Sequence, residues 1–281
     1  MIKIITDSTC DLSEELLERY DISVLPLYIQ LDDESFKDKV EITPDKIYEW
    51  SDANNKTPKT SAPSIADAME LLEPFDMEGT DIIYIGIASE MSTTINVMRL
   101  ATEELEHAKM YIIDSKNLST GIGLQLLRIG KLREEGLSAE EIVKVIEADS
   151  DKVRAGFVVD TLTYLHRGGR CSATTALFAG ALKIKPQIAV IDGKMDVAKK
   201  FRGNIGAVIN KYVDGLEEEL KNADPDHIFI THSGGVEDIA EELKKRLEEM
   251  NYFKEVHITR AGGVITAHCG PKTLGVLFYS K

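Results

Sequence analysis

The stretch Asp81-Ile82-Ile83-Tyr84-Ile85-Gly86 is a short apolar run that leads into a segment rich in hydroxyl side chains, residues 88–94. An apolar run of this length, ended by glycine, predicts a buried β-strand. A helical pattern begins at the end of the hydroxyl-rich segment. A buried strand that leads into a helix is the repeating unit of α/β proteins, so this stretch decides the fold class.

The same pattern recurs along the whole chain, where apolar runs alternate with longer segments of helical period. We therefore predict an α/β fold with mostly parallel sheets. The helices include residues 13–20, with Ser13 as the cap, and the amphipathic segment 237–250. Residues 31–38 form a hairpin or a loop excursion. The predicted strands are residues 2–6, 23–27, 81–86, 110–114, 154–159, 187–191, 227–231 and 255–258.

The polar segment 149–152 follows two adjacent helical patterns, at residues 122–135 and 139–148. Such a joint is typical of a domain boundary. We predict an N-terminal α/β domain at residues 1–152 and a C-terminal α/β domain at residues 153–281.

Composition excludes several classes of protein. The 281 residues carry a formal net charge of −15, which argues against binding to a nucleic-acid backbone. Cys10, Cys171 and Cys269 are far apart, which indicates a reducing compartment and no disulfide frame. The sequence contains no apolar run long enough for a signal peptide or a spanning helix, so we expect a soluble, cytosolic protein.

Hydroxyl-rich loops follow three of the predicted strands, at residues 8–11, 88–94 and 115–119. The simpler interpretation of each loop is helix capping. Together they also suit an oxygen-rich anion, because helix N-termini favour negative charge. In the segment 59–64, Ser61 or Ser64 is a candidate cap, which leaves Thr60 to face a ligand.

Two glycine-rich segments of the second half present candidate site residues. Gly168-Gly169 precedes Arg170, which could pair with a carboxylate or phosphate or could be an ordinary surface arginine. His268 lies among three glycines, and His232-Ser233 follows a predicted strand; a structural role is open for both histidines. The sequence has no metal-binding motif, no nucleotide-binding loop and no nucleophile elbow, so we expect neither a metal nor a nucleotide cofactor.

An ordered set of short motifs, distributed over nearly the whole chain, resembles the DegV family. The motifs are Asp7-Ser8…Asp11-Leu12, Thr60-Ser61-Ala62-Pro63-Ser64, Asp114-Ser115…Ser119…Gly121, Leu162…Leu165…Gly168-Gly169-Arg170, Lys185-Pro186 and His268…Gly270-Pro271. The resemblance implies a bacterial cytoplasmic protein of two α/β domains that holds one long-chain fatty acid between them. It further implies that a separate fatty acid kinase subunit phosphorylates the bound carboxylate to an acyl phosphate for phospholipid synthesis. It implies no enzymatic activity of the chain alone, no nucleic-acid partner and no stable membrane insertion.

The resemblance also assigns the fatty-acid-binding residues. Thr60 and Ser92 are expected to contact the carboxylate, Ser61 to belong to the same loop as Thr60, His268 to extend the hydrogen-bond network, and Arg170 to orient the head group or meet the phosphoryl donor. Thr93 and Lys272 stand where the family commonly has glycine, so we expect added bulk near the head group.

Two alternative functions remain open from the sequence. The first is an acyl hydrolase or transferase that uses Ser92 or Ser233 with His268. The second is a binding module for another small carboxylate, such as a sugar acid.

Two further expectations concern the acyl tail and the partner kinase. Phe157, Leu177 and Phe178 are candidates for contact with the tail, although core packing explains them equally well. Residues 199–202, Lys-Lys-Phe-Arg, form a basic cluster that is either a docking patch for the kinase or an exposed helix start.

Overall fold

The computed structural model describes residues 2–174 and 184–281. Its strands are β1 (Ile2–Asp7), β2 (Ile22–Leu25), β3 (Tyr28–Leu31), β4 (Glu34–Lys37), β5 (Lys59–Ser61), β6 (Asp81–Gly86), β7 (Met110–Asp114), β8 (Val153–Val158), β9 (Ile184–Ile191), β10 (Lys194–Arg202), β11 (Ala223–His232), β12 (Glu255–Arg260) and β13 (Leu274–Ser280). The α-helices of the described residues are α1 (Glu14–Arg19), α2 (Pro44–Asn54), α3 (Ile65–Met77), α4 (Thr94–Thr102), α5 (Thr120–Glu134), α6 (Ala139–Ala148), α7 (Thr163–Gly168), α8 (Ile205–Asp214), α9 (Glu217–Lys221), α10 (Glu237–Glu249) and α11 (Gly263–Cys269). This mixture of sheets and helices confirms the predicted α/β class.

The first sheet has four strands in the order β2-β1-β6-β7, and every pairing in it is parallel. Its strands are nearly continuous apolar runs because helices cover the sheet. A small antiparallel sheet of order β4-β3-β5 lies beside it. Strands β3 and β4 form a hairpin, which settles the choice that the sequence left open for residues 31–38.

The second large sheet corrects the prediction of mostly parallel sheets. It has six strands in the order β10-β9-β8-β13-β11-β12, and only the β11–β12 pairing is parallel. Two strands that the sequence analysis missed explain much of the difference. Strand β10 returns along β9 after a tight turn at Asp192-Gly193, where both residues have positive φ. Strand β13 lies antiparallel between β8 and β11.

The segment 199–202 was expected to be either a docking patch or an exposed helix start, and the structure excludes the helix start. Its residues belong to strand β10 at the edge of the six-stranded sheet, so they are not a helix start. The exposed lysines suit this position, because charged side chains discourage an edge strand from pairing with another chain.

Helix α5 lies at the centre of the largest apolar core. Buried side chains along it pack in one cluster with residues from both large sheets, including Ile4 of β1 and Phe229 of β11. Gly130 lets α5 approach Tyr20, at the end of α1, closely, since a Cβ there would lie 2.2 Å from the Tyr20 ring.

Helix α11 is anchored at its N-terminus by two buried carboxylates from the first half of the chain. The Gly262 amide donates to Asp11 Oδ1 (2.7 Å), and the Gly263 amide donates to Asp38 Oδ1 (2.8 Å). Gly263 must lack a side chain, because a Cβ would lie 2.3 Å from Ile29 Cδ1. These bonds satisfy amide groups that no helical carbonyl can reach, and they fix the helix in position.

The two carboxylates are themselves held by further donors. The Ser8 hydroxyl donates to Asp38 (2.8 Å) and the Ser119 hydroxyl donates to Asp11 (2.6 Å), while Lys39 lies 3.4 Å from Asp11. Burial raises the pKa of both carboxyl groups, and Lys39 opposes that rise. Part of the hydroxyl-rich loop after β1 therefore serves to anchor α11.

Candidate functional site

A cavity of about 270 Å³ lies at the carboxyl end of β6, where the ligands of α/β sheets usually bind. Its lining comes from the segments before β3, α4 and α5, the segment at β5, the segment after α7, strand β10 and helix α11. Both predicted domains contribute to it. The apolar lining residues include Leu27, Ile87, Met91, Leu118, Met195, Val264 and Ile265.

All five residues that the sequence analysis assigned to the site line this one cavity. They are Thr60, Ser61, Ser92, Arg170 and His268. Residues from separate segments of the chain thus meet in one cavity, whose lining is polar and apolar in nearly equal parts.

His268 lies in the last turn of α11, and its Nε2 shares a hydrogen bond of 2.8 Å with Thr60 Oγ1. Its Nδ1 is buried without a hydrogen-bond partner among the described residues. Burial lowers the pKa of this histidine to about 4, and the positive charge of Arg170 acts in the same direction. The imidazole is therefore neutral at physiological pH.

Gly168 makes room for this imidazole. A Cβ at position 168 would lie 2.3 Å from His268 Nδ1. Gly169 follows with φ of +69°, a left-handed conformation that ends α7 and turns the chain toward Arg170. The glycine pair thus places both His268 and Arg170.

Arg170 is exposed at the rim of the cavity. Its Nη1 donates to the Gly168 carbonyl (2.7 Å) and its Nε donates to the Met91 carbonyl (3.4 Å). A guanidinium has five N–H donors, so these two bonds leave others available for an anion.

Ser92 belongs to the loop that precedes α4. Its hydroxyl shares a hydrogen bond of 2.8 Å with Thr94 Oγ1 and accepts a bond of 3.3 Å from the Thr94 amide. The Ser92 hydroxyl therefore accepts a hydrogen bond from the first amide of α4, and the residue also lines the cavity. Near β5, Ser64 makes the capping box of α3, which leaves Thr60 and Ser61 in the cavity wall.

Ser233 and His232, the other candidate nucleophile and the other candidate histidine, form hydrogen bonds with the backbone of neighbouring loops. The Ser233 hydroxyl donates to the Gly270 carbonyl (2.6 Å) and accepts from the Thr273 amide (3.0 Å). His232 Nδ1 accepts from the Gly234 amide (3.2 Å). Within the chain as described, neither Ser92 nor Ser233 has a hydrogen bond to His268, which is the contact that a serine hydrolase requires.

The two departures from the family pattern lie in different places. Thr93 lines the cavity, as expected. Lys272 does not line it; this residue has φ of +60°, and its side chain packs against Gly235. Of these two residues, only Thr93 therefore adds bulk to the cavity.

A second, smaller cavity of about 30 Å³ adjoins the first and shares the wall residues Leu118, Ile265 and Cys269 with it. Phe157, one of the expected tail contacts, lines this smaller cavity. The other two, Leu177 and Phe178, lie outside the described residues.

The sequence analysis missed most of the apolar wall and the anchor of α11. Met195 and Ile265 belong to the apolar pattern of ordinary core residues, so nothing marked them as cavity residues. Asp38 stood in an acidic segment interpreted only as a hairpin or loop excursion, and nothing distinguished it from the other acidic residues there.

The fold and the cavity define a class of α/β protein. In this class, a cavity lined by hydroxyl, histidine and arginine side chains lies between the parallel sheet and the mixed sheet. The chain belongs to the DegV family of uncharacterised proteins, whose sequence profile matches residues 1–281.

Comparison with individual proteins agrees with this assignment. A DegV domain-containing protein of Clostridium perfringens is 36% identical and covers 99% of this chain and 98% of its own length. A solved structure described as fatty acid binding of a DegV family protein from Thermus thermophilus superimposes with a TM-score of 0.91 at 28% identity, covering 100% of this chain and 99% of that chain. A stearic acid-binding protein from Eubacterium ventriosum has a TM-score of 0.88, also at 28% identity, with 100% of this chain and 99% of that chain covered.

Proposed function

We propose that this protein binds one long-chain fatty acid in the cavity, with the carboxylate held by Thr60, Ser61, Ser92, Arg170 and His268. The observation that carries the proposal is the convergence of these five side chains on one cavity that also has an apolar wall. The fatty acids bound by similar DegV structures support the same ligand class.

The two parts of such a ligand contribute differently to binding. Burial of each methylene contributes about 0.8 kcal/mol, so a long acyl tail supplies roughly 10 kcal/mol before the cost of association. Neutral hydrogen bonds contribute about 0.5–1.5 kcal/mol each. The tail therefore sets the affinity, and the polar cluster sets the orientation of the carboxylate.

The tail is proposed to run from the main cavity past Leu118 and Ile265 toward Phe157. The volume of the main cavity, about 270 Å³, is near the lower end of the range of ~300–1,000 Å³ for small-molecule pockets. A long tail therefore needs more room than the main cavity provides. The adjoining apolar cavity adds only about 30 Å³, so binding of a long tail also requires the shared wall at Leu118 and Ile265 to move.

We further propose that the protein presents the carboxylate to a separate kinase subunit and performs no catalysis alone. Arg170 at the rim is available to the phosphoryl donor, and the sequence contains no nucleotide-binding loop. The acyl phosphate would then feed phospholipid synthesis in the bacterial cytoplasm, with residues 1–152 and 153–281 as the two domains that enclose the ligand. Among the described residues, no helix is both long enough and apolar enough to cross a bilayer.

The exposed basic segment 199–202 of edge strand β10 is the proposed contact for the kinase, because it is a local positive patch on a strongly acidic chain. Charge reversal at Lys199 and Lys200 should slow acyl-phosphate formation and leave fatty acid binding unchanged. An unaltered rate would contradict this docking site.

Delipidated protein titrated with palmitate or oleate tests the ligand. Saturable binding of one molecule per chain is expected, with weaker binding of an alcohol of the same length. A parallel titration with a sugar acid such as gluconate tests the alternative function, in which the protein binds a different small carboxylate. Saturable binding of gluconate with none of palmitate would replace the fatty acid by a small carboxylate.

Thr60→Val tests the head-group site with Thr102→Val as its matched control. Thr102 bonds to the Met98 carbonyl within α4, and it is not among the residues that line the cavity. With kinase subunit, Mg²⁺ and ATP, Thr60→Val should slow acyl-phosphate formation at least tenfold while palmitate affinity changes less. Release of product from acyl esters by the wild-type protein alone would instead support the hydrolase function.

A further inference from the structure

Two histidines and a glutamate meet on one face of the six-stranded sheet, on the parallel strands β11 and β12. In the register of this pair, His227 lies opposite Glu255, and Phe229 lies opposite His257. Alternate residues of a strand face the same side, so the three polar side chains share the face on which Phe229 lies.

The ligand atoms of this cluster have the spacing of a metal site. His227 Nδ1 is 3.2 Å from His257 Nε2, and the Glu255 carboxylate oxygens are 3.9 Å and 3.7 Å from these two nitrogens. A tetrahedral ion with metal–nitrogen bonds of ~2.0–2.1 Å holds its ligand atoms ~3.3–3.4 Å apart. The two Glu255 distances belong to different oxygens, so a rotation of this flexible side chain must bring one oxygen to ~3.3–3.4 Å from both nitrogens.

We propose that His227, Glu255 and His257 bind a divalent transition-metal ion of the zinc class, with the fourth coordination position open. Two imidazole nitrogens and a carboxylate oxygen form a donor set that suits Zn²⁺. The site is separate from the cavity and does not depend on the proposed fatty acid function. The sequence analysis expected no metal because strand pairing, and not sequence spacing, brings these residues together.

The surroundings prepare both imidazoles for coordination. The His257 ring stacks on Phe229 with ring centroids 4.6 Å apart, which limits its rotation. Burial lowers the pKa of His257 to about 4 and lowers that of His227. His227 Nδ1 and His257 Nε2 share a hydrogen bond in this structure, so one of them carries a proton, which must move to the other nitrogen of its ring before both can coordinate an ion.

Arg19 of α1 is the competitor for this site. Its Nη1 donates to both Glu255 oxygens, at 3.1 Å and 3.0 Å. The neighbouring carboxylate of Asp226 bonds to Lys131 and Lys254. Because Arg19 already binds Glu255, a bound cation must either share this carboxylate with the arginine or displace it. Removal of the arginine should therefore strengthen metal binding.

Calorimetric titration of the full chain with Zn²⁺, after treatment with EDTA and removal of the chelator, tests the proposal. One ion per chain should bind to the wild type, and His227→Ala and His257→Ala should each weaken binding at least tenfold. His107→Ala removes an exposed histidine elsewhere and is the matched control with unchanged affinity. Arg19→Gln should raise the affinity at least threefold.

Co²⁺ gives a second measurement that does not depend on the histidine variants being stable. The wild type should show the visible absorption bands of a tetrahedral Co²⁺ site, and Glu255→Gln should lose them. Absence of saturable Zn²⁺ binding to the wild type, or equal affinity of the two histidine variants and the wild type, would overturn the proposal.

Discussion

His268 acts in the cavity as an uncharged hydrogen-bonding group. Burial and Arg170 keep its pKa at about 4, and Thr60 orients its ring. With its Nε2 engaged by Thr60, this neutral imidazole carries no charge, so Arg170 at the rim is the positively charged member of the cluster.

The lowered pKa of His268 predicts a pH-dependent contribution to stability. Between the folded pKa of about 4 and the ordinary value of 6.5, the unfolded chain binds a proton that the folded chain does not. This stabilising contribution is present above pH 6.5 and is lost as the pH falls toward 4, by up to about 3 kcal/mol. The measurement is urea unfolding of the wild type and His268→Gln at a series of pH values.

The prediction concerns the difference in unfolding free energy between the two proteins. Asp7, Asp11 and Asp38 have raised pKa values and titrate in the opposite sense, but they are present in both. A difference that does not change with pH would show that His268 titrates normally.

Gly168→Ala should displace His268 from Thr60. The added methyl group would lie 2.3 Å from the imidazole, so the ring must move. We expect acyl-phosphate formation with the kinase subunit to fall at least tenfold.

Gly169→Ala is the matched control for Gly168→Ala. A Cβ at position 169 meets no atom within 4 Å, although the positive φ costs about 1 kcal/mol of stability. Equal loss of activity in the two variants would mean that backbone strain, and not the position of His268, is responsible.

The polar residues that line the cavity could be named from the sequence because they belong to short motifs that resemble one family. Thr60 precedes a proline and a capping serine, and Arg170 follows two glycines. Leu118 and Met195 carry no such signal, since a cavity wall and a core have the same composition. The packing that leaves a space beside them is a property of the fold and not of a local motif.

At the scale of the element, the anchored start of α11 is the feature that places His268. Asp38 accepts from the Ser8 hydroxyl and from the amides of Gly263 and Val264. Asp38→Ala leaves these buried donors without an acceptor, and we expect the free energy of unfolding to fall by about 2–4 kcal/mol. Chemical denaturation measures the change.

Asp52→Ala is the matched control for Asp38→Ala. Asp52 is exposed on α2, so its replacement should change the free energy of unfolding by no more than about 0.5 kcal/mol. Asp38→Asn keeps one carbonyl oxygen as an acceptor and should be intermediate. An unfolding free energy for Asp38→Ala as high as that of the Asp52 control would show that the anchor is not needed for stability.

The elements that the sequence analysis predicted and those that it missed differ in physical character. Every predicted strand is present in the structure, because each is an apolar run bounded by turn residues. Strand β10 was missed because its lysines and aspartate conceal the pattern at an exposed sheet edge. Strand β13 is a buried run without alternation, close after Pro271, and nothing local identifies its partners.

At the scale of the whole molecule, one apolar core joins the two predicted domains. Ile4 and Ile122 from the first half belong to the same cluster of buried side chains as Phe229 and Leu277 from the second half. We expect the full chain to unfold in a single cooperative transition in scanning calorimetry, and residues 1–152 alone to be unstable. Two resolved transitions, or a stably folded 1–152 fragment, would contradict this expectation.

The length of helix α11 is fixed by contacts at both of its ends. Asp11 and Asp38 fix where it begins, and Thr60 fixes where its histidine must arrive. Each residue of an α-helix advances the chain by ~1.5 Å and rotates it by about 100°, so one inserted or deleted residue would swing the imidazole about a quarter of a turn away from the threonine. During evolutionary divergence this segment can exchange side chains but cannot change its length, and an alignment of related chains should show a constant number of residues between Gly262 and His268.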